Sequence, residues 1–376
     1  MPRSANERAV YVSDVVDFLE YFAPPSLTSA EAVYGLQYGS ASEPVSAVIL
    51  APFVTQSVLR VANATTANLI ITPTPLSGSP KDILRSDEWP GSLVSQLIQA
   101  GISLYTLAPS ASVVPSGFDH CFAERLGIAA TAQLLAASVE PQLKLVVFVP
   151  LNAVNVVRSA LAEAGAGVIG NYTHCAFESR GVGSFLPGPG SQPTTGSIGR
   201  FQMIEEVRLE VRVPQRELSG VLAALLEVHP YEEPAYDIYP LRTPGSVFSR
   251  GKLGELPLPV SMMTVLGQIE DALRSYGTNR LRSYNVHHRE VQSVAVVSGD
   301  SGGGSTIQAA LRAGADVVIL GAVSQQDQMM VDGHRTALVD TGYAPSLAPG
   351  LERLAAQLRK TFGAEGLRVL CAGRGH

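Results

Sequence analysis

Residues 45–72, VSAVILAPFVTQSVLRVANATTANLIIT, carry the reading on which the fold turns. VSAVILAP (45–52) reads as an apolar strand, TQSVLRVANATTA (55–67) as a helix and NLIIT (68–72) as a second buried strand. Short apolar runs bounded by turn residues mark strands covered on both faces. A helix between two such strands makes them parallel. The order continues with a helix over 91–100, a third strand, ISLYTLA (102–108), and a helix from Gly117 to Leu126. Before it, Val12, Val15, Val16, Leu19 and Phe22 recur at helical spacing, and Ala23-Pro24-Pro25 ends that helix.

The pattern returns near the other end of the chain. VQSVAVVSGD (291–300) is a strand, STIQAALRAGA a helix, DVVILG (316–321) a strand and TALVDTG (336–342) another. Val291 lies 246 residues after Val45, so two related α/β halves are expected. The middle holds a second repeat. Val147-Phe148-Val149-Pro150 and Val211-Arg212-Val213-Pro214 stand 64 residues apart, and Val157, Ala160-Leu161 and Glu163 match Val221, Ala224-Leu225 and Glu227 at the same offset. Each unit reads as strand, helix, strand, with Pro150 and Pro214 at the first helical position. VIGNYTHCAF (168–177) and EPAYDIYPL (233–241) are the second strands. Two βαβ units in tandem make a ferredoxin-like α+β domain, here with its halves linked by the Gly/Pro/Ser-rich stretch 181–199. The expected organisation is an N-terminal half over 1–140, an inserted domain over 141–245, and 246–376 as a linker (to 257) followed by the C-terminal half.

With 376 residues and 46% hydrophobic side chains, the chain can bury large cores. A net charge of −6 and a pI near 5.7 argue against a nucleic-acid surface. The three cysteines, Cys121, Cys175 and Cys371, are far apart, which fits reduced thiols. No signal core stands at the start and no apolar run approaches the roughly 20 residues of a membrane helix. A cytoplasmic, soluble protein without membrane contact is expected.

GNYTHCAFESRGVGSFLPGPGSQPTTGSIG (170–199) resembles the signature loop of the NIF-three-like proteins, a family often described as type-two GTP cyclohydrolase I. HPYEEPAYDIYPL (229–241), GKLGELP (251–257), FAPPSL and YGLQYG near the start, and GADVVILG and LVDTGY near the end match it as well. The resemblance implies two α/β halves around a dinuclear metal site, an inserted domain similar to the PII/CutA sensors, and a toroidal hexamer.

The metal-ligand positions depart from that family's pattern. Where it carries Thr/Ser-His-His-Pro-Leu, this chain has Thr72-Pro73-Thr74-Pro75-Leu76. Where it carries His-Thr-Asn-Leu-Asp, this chain has Ala108-Pro109-Ser110-Ala111-Ser112. Its Gly-Glu/Asp-x-x-His/Tyr-His-Asp is Gly321-Ala322-Val323-Ser324-Gln325-Gln326-Asp327 here, and its Gly-His…Glu is Gly342-Tyr343 with Leu347. An early aspartate aligns with Ala32. A divalent ion needs carboxylates or neutral imidazoles, and proline, hydroxyls, amides and phenol are poor substitutes. The expectation is a family member without its metals and without another cofactor. Its cleft would be lined by Pro73, Thr74, Ser110, Ser112, Gln325, Gln326, Asp327 and Tyr343. Ser301-Gly302-Gly303-Gly304, after a strand and before a helix, could cradle an anion with free amides.

Other groups read as structural. His174-Cys175 belongs to the family-like strand, His287-His288 to a polar loop, and His229 to a helix C-terminus where a cation is favoured. Asp119-His120 reads as a surface or capping pair, and Glu232-Glu233 beside Tyr231 as a turn. Three functions compete. One is a scaffold or binder of a small polar or phosphorylated molecule, or an enzyme with metal-independent chemistry. Another is a metal-dependent hydrolase of the GTP cyclohydrolase type. The third is a regulatory module acting through the insert.

Overall fold

The computed structural model describes residues 9–29, 31–76, 85–277, 281–286 and 290–372. His287 and His288 lie outside the described residues. The chain divides into two compact units, Met1–Ser138 with Phe248–His376, and Val139–Val247.

The first unit opens with α1 (Val12–Phe22), β1 (Gly35–Tyr38), β2 (Ala47–Leu50), α2 (Gln56–Thr65), β3 (Leu69–Thr72), α3 (Gly91–Gln99), β4 (Ser103–Thr106) and α4 (Phe118–Arg125). β5 (Ala129–Val139) leads out of it. The second unit contains β6 (Gln142–Pro150), α5 (Val154–Glu163), β7 (Ala176–Phe185), β8 (Gln202–Pro214), α6 (Leu218–Val228) and β9 (Tyr236–Leu241). β10 (Val247–Ser261) returns to the first unit. There follow α7 (Met262–Leu273), β11 (Arg282–Tyr284), β12 (Glu290–Val297), α8 (Ser305–Arg312), β13 (Val317–Leu320), α9 (Gln325–Val331), β14 (Ala337–Asp340), α10 (Tyr343–Phe362) and β15 (Arg368–Cys371).

The two halves of the first unit repeat element by element. The series α1-β1-β2-α2-β3-α3-β4-α4 has the same order as α7-β11-β12-α8-β13-α9-β14-α10. One sheet runs β1-β4-β3-β2-β15 and the other β11-β14-β13-β12-β10-β5. The first has four parallel strands, β4-β3-β2-β15, and the second three, β14-β13-β12, and in each the short strand β1 or β11 is antiparallel at the edge. β2, β3, β4 and β13 are buried along their whole length, which is why β2 and β13 are continuous apolar runs. Thr55, Ser261 and Ser324 cap α2, α7 and α9 through their hydroxyls.

The last helix of each half crosses to the other half. Leu347, Leu351, Leu354 and Leu358 of α10 pack with Val48, Leu50, Leu69 and Ile71 of the first sheet. Phe122 and Ala123 of α4 pack with Val294, Val296, Val317 and Ile319 of the second. The helices meet at Gly350, where an added Cβ would stand 2.1 Å from the Phe118 ring. This exchange makes one body of two repeats, because neither sheet is covered by its own helices alone.

In the second unit all neighbouring strands are antiparallel, in the order β7-β8-β6-β9. That is the ferredoxin-like arrangement. Leu145, Val147 and Val149 face Leu209, Val211 and Val213 under α5 and α6, with Val157, Leu161, Val221 and Leu225 completing the core.

Three local expectations need correction. Residues 168–175 are mostly turn, and the strand expected there runs from Ala176 to Phe185, into the stretch read as a linker. Residues 247–257, also read as linker, lie within β10. Pro150 and Pro214 end strands β6 and β8 rather than starting helices. In the first case glycine suggested loop, but β7 lies largely exposed, where the cost of glycine in a strand is lower.

Candidate functional site

The residues singled out in the sequence follow the carboxyl ends of parallel strands in the two sheets, the edge where ligands bind in open α/β sheets. Pro73 and Thr74 follow β3, Ser110 and Ser112 follow β4 in a short 3-10 turn, Gln325–Asp327 follow β13 and Tyr343 follows β14. The Thr72 hydroxyl donates to the Thr74 carbonyl at 2.8 Å, which closes the turn that Pro73 stiffens. The hydroxyls of Thr74 and Ser110 are buried with no hydrogen-bond partner among the described residues. Ser110 uses its backbone N–H on the Thr28 hydroxyl at 3.3 Å.

From the second half, Tyr343 stacks on Phe53, with ring centroids 5.4 Å apart and planes inclined at 28°. Phe53 follows β2, so this stack joins strand ends of the two halves. Sequence reasoning passed over Phe53. Its signal was an aromatic directly after Pro52 at a strand's carboxyl end. Leu347, one turn below Tyr343, is buried in the apolar cluster of the first sheet, against which Tyr343 also packs. Asp327 is buried and caps α9: its Oδ2 accepts from the Ser324 N–H and hydroxyl, each at 2.8 Å. Its Oδ1 has no hydrogen-bond partner among the described residues. Gln325 and Gln326 point to solvent.

The glycine-rich loop between β12 and α8 is wound tightly. Gly299, Gly302, Gly303 and Gly304 all have positive φ. The Gly302 N–H donates to Asp300 Oδ1 at 2.9 Å and the Gly304 N–H to Ser301 Oγ at 3.0 Å. Ser301 and Gly304 are buried, while Gly302 and Gly303 are exposed. The Gly299 N–H donates to Ser346 Oγ at 2.9 Å, and that hydroxyl donates to the Tyr343 carbonyl at 2.7 Å. The loop is therefore tied to the start of α10.

Asp119 is not a surface group. Its carboxylate is fully buried and accepts from the Arg250 guanidinium, from the Gly251 N–H at 2.5 Å, and from the Ser298 N–H and hydroxyl at 2.8 and 2.6 Å. Arg250 in turn donates to the carbonyls of Ser298 and Asp300. This node locks α4, β10 and the glycine-rich loop together. Asp119 follows Gly117 and Phe118, a context that reads as a helix start whether the side chain points in or out.

Among the described residues no three His, Cys, Asp or Glu side chains come together in a way that could hold a metal ion. His174 is exposed and Cys175 half-buried. Cys121 is buried, and burial pushes its thiol up to about 11, so it stays protonated and unreactive at neutral pH.

His229 acts in the second unit, and not as a helix-end cation. Nε2 bonds the Phe148 carbonyl at 3.1 Å while Nδ1 accepts the Tyr231 N–H at 3.1 Å. Only the neutral ring can do both. Burial lowers its pKa from the ordinary 6.5. The unfolded chain then takes up a proton at a higher pH than the folded one. Stability from this site is complete above about 6.5 and declines as the pH falls below it. Amide protection factors of the second unit, with exchange rates corrected for their intrinsic pH dependence, should fall between about pH 6.5 and 5 in the native protein, and this fall should be absent in His229→Gln.

A family model, Duf34/NIF3 (NGG1p interacting factor 3), matches residues 10–372. The chain belongs to this family. A "GTP cyclohydrolase 1 type 2 homolog" of Halalkalibacterium halodurans is 33% identical over 309 residues, 82% of each chain. One of Mycobacterium bovis is 33% identical over 361 residues, 95% of this chain and 93% of that one. The crystal structure of a Bacillus cereus protein related to NIF3 superposes with a TM-score of 0.82 at 30% identity, covering 98% of both chains. The Duf34/NIF3 chain described here thus has the α/β fold expected from its sequence. No helix among its described residues is long and apolar enough to cross a membrane.

Proposed function

We propose that this Duf34/NIF3 protein binds a small polar or phosphorylated molecule in the cleft at its strand ends, and does so without the dinuclear metal that the family resemblance implies. The observation that carries the reading is on α10. Tyr343 and Leu347 stand where a histidine and a glutamate would be ligands, and both pack into the apolar cluster of the first sheet. Pro73 offers no donor atom, Thr74 and Ser112 offer hydroxyls, and Asp327 Oδ2 is held by Ser324. Such a donor set does not fit Zn, Fe or Mn.

What remains is suited to hydrogen bonding. Thr74 and Ser110 supply two buried hydroxyls, and leaving such groups without partners costs roughly 1–3 kcal/mol each. The Phe53–Tyr343 stack supplies an aromatic wall. Any catalysis here is independent of a metal. The hydrolase named in the relatives is the second reading, supported by identity at the level of the whole chain. A cytoplasmic homohexamer is proposed from the resemblance alone.

Thermal melting tests the reading. Added Zn or Mn salts should move the melting temperature of the native protein little, because an ion that does not bind the native state cannot stabilise it. A shift of more than a few degrees that Pro73→Ala with Thr74→Ala abolishes would overturn it.

A further inference from the structure

We propose that the inserted domain carries a second binding site, for a small aromatic molecule bearing a cationic amine. Alternation along β6 and β8 puts Val147, Val149, Leu209 and Val211 under the helices. Phe148, Glu206 and Arg208 therefore face the side of the sheet that no helix covers. On that side lies a cavity of about 830 Å³, roofed by the stretch 187–195 and closed at one end by Tyr231 and Ala235. Its volume is in the range that holds a small-molecule ligand. The roof is pinned. The Gln192 N–H donates to Glu232 Oε2 at 3.0 Å, and the Thr194 hydroxyl donates to the Pro230 carbonyl at 2.6 Å.

The floor of the cavity sets the chemistry. Glu206 is only 8% exposed. Its Oε1 accepts the Tyr231 hydroxyl at 2.8 Å, and no described residue donates to Oε2. Oε2 has room because residue 183 is glycine: a Cβ there would stand 2.1 Å from it. The φ of Gly183 is not in the left-handed region, so backbone conformation does not require this glycine, and the space for Oε2 does. Oε2 thus opens to the cavity, and a carboxylate oxygen on so largely buried a side chain is best met by a cationic donor. Of the cations lining the cavity, Arg208 pairs with Glu210 at 3.1 Å, and Arg180 makes no ion pair with Glu206. Phe148, Phe185 and Tyr231 supply ring contacts, and the edges and faces of aromatic rings suit an aromatic guest beside a cation. An aromatic amine satisfies both the walls and the free carboxylate oxygen. This site lies wholly within the second unit, and it stands or falls separately from the cleft in the body.

Titration calorimetry on the full chain tests it, with tryptamine and tyramine as probes and indole-3-propionate and 3-(4-hydroxyphenyl)propionate as ring-matched acids. Saturable binding of an amine with a single site per chain is expected, at least about tenfold tighter than its matched acid. Glu206→Gln, checked for an unchanged circular dichroism spectrum, should weaken amine binding at least about tenfold and remove the preference over the acid. If Glu206→Gln does not fold, Gly183→Ala, which crowds Oε2, should give the same loss. No saturable binding of either amine, equal binding of the acids, or undiminished amine binding by the folded variant would overturn the proposal.

Discussion

Asp119→Ala should destabilise the body of this protein by about 3–5 kcal/mol, the size expected when one partner of a buried, hydrogen-bonded ion pair is removed. The carboxylate is fully buried and satisfies the Arg250 guanidinium, the Gly251 N–H and both donors of Ser298. Alanine would leave that cation beside two carbonyls with no counter-charge and leave buried amides unpaired. Urea unfolding, followed by a probe in the first unit, measures the loss. The double variant Asp119→Ala with Arg250→Met should recover much of it, because an apolar replacement of both partners leaves no buried charge behind. A loss below about 1 kcal/mol for Asp119→Ala would show that the node does not hold α4 to the glycine-rich loop.

The second large effect is a gain. Pro73→His, Thr74→His, Ser112→Asp, Tyr343→His and Leu347→Glu, made together, should give a chain that binds divalent metal. Before metal is added the variant should melt well below the native protein. Leu347 is 3% exposed among apolar side chains, and a carboxylate placed there is costly without a partner. Zinc at about 100 times its dissociation constant should then restore roughly 2.7 kcal/mol. A variant that folds and still binds no metal would mean that the turns around these positions have changed shape as well as side chains.

Most of the fold was legible because its strands are buried on both faces. Runs such as Val317–Leu320 and Leu69–Thr72 leave little alternative to a parallel sheet, and the recurrence of the strand at Val45 near Val291 exposed the duplication. The exchange of α4 and α10 was not legible. Apolar spacing shows that a helix has a buried face, not which sheet it covers, and only the Gly350–Phe118 approach reveals the crossing. β7 was misread because an exposed strand carries glycine without the burial pattern that marks interior ones, and β10 because its glycines and prolines suggested a linker although Phe248, Ser249, Gly251, Gly254 and Leu256 are buried.

At the candidate site the family resemblance implied which residue types stand at the ligand positions, because the flanking motifs match. It did not show the Phe53–Tyr343 stack or the Asp119–Arg250 node, both of which join residues nearly 300 and more than 130 positions apart. Charge and ring contacts at such separation leave no periodicity to read. Gln325 and Gln326, read as cleft residues, point to solvent, while the neighbouring Asp327 turns inward to cap its helix.

We propose above that the cleft works without a metal. Elemental analysis of the native protein, purified without chelator and compared with the five-site variant, tests it directly. The native chain should contain well below one equivalent of Zn, Fe, Mn, Co or Ni, and the variant about one or more after exposure to the same metals. One or more equivalents of a transition metal in the native chain, lost on Thr74→Ala with Asp327→Ala, would contradict it.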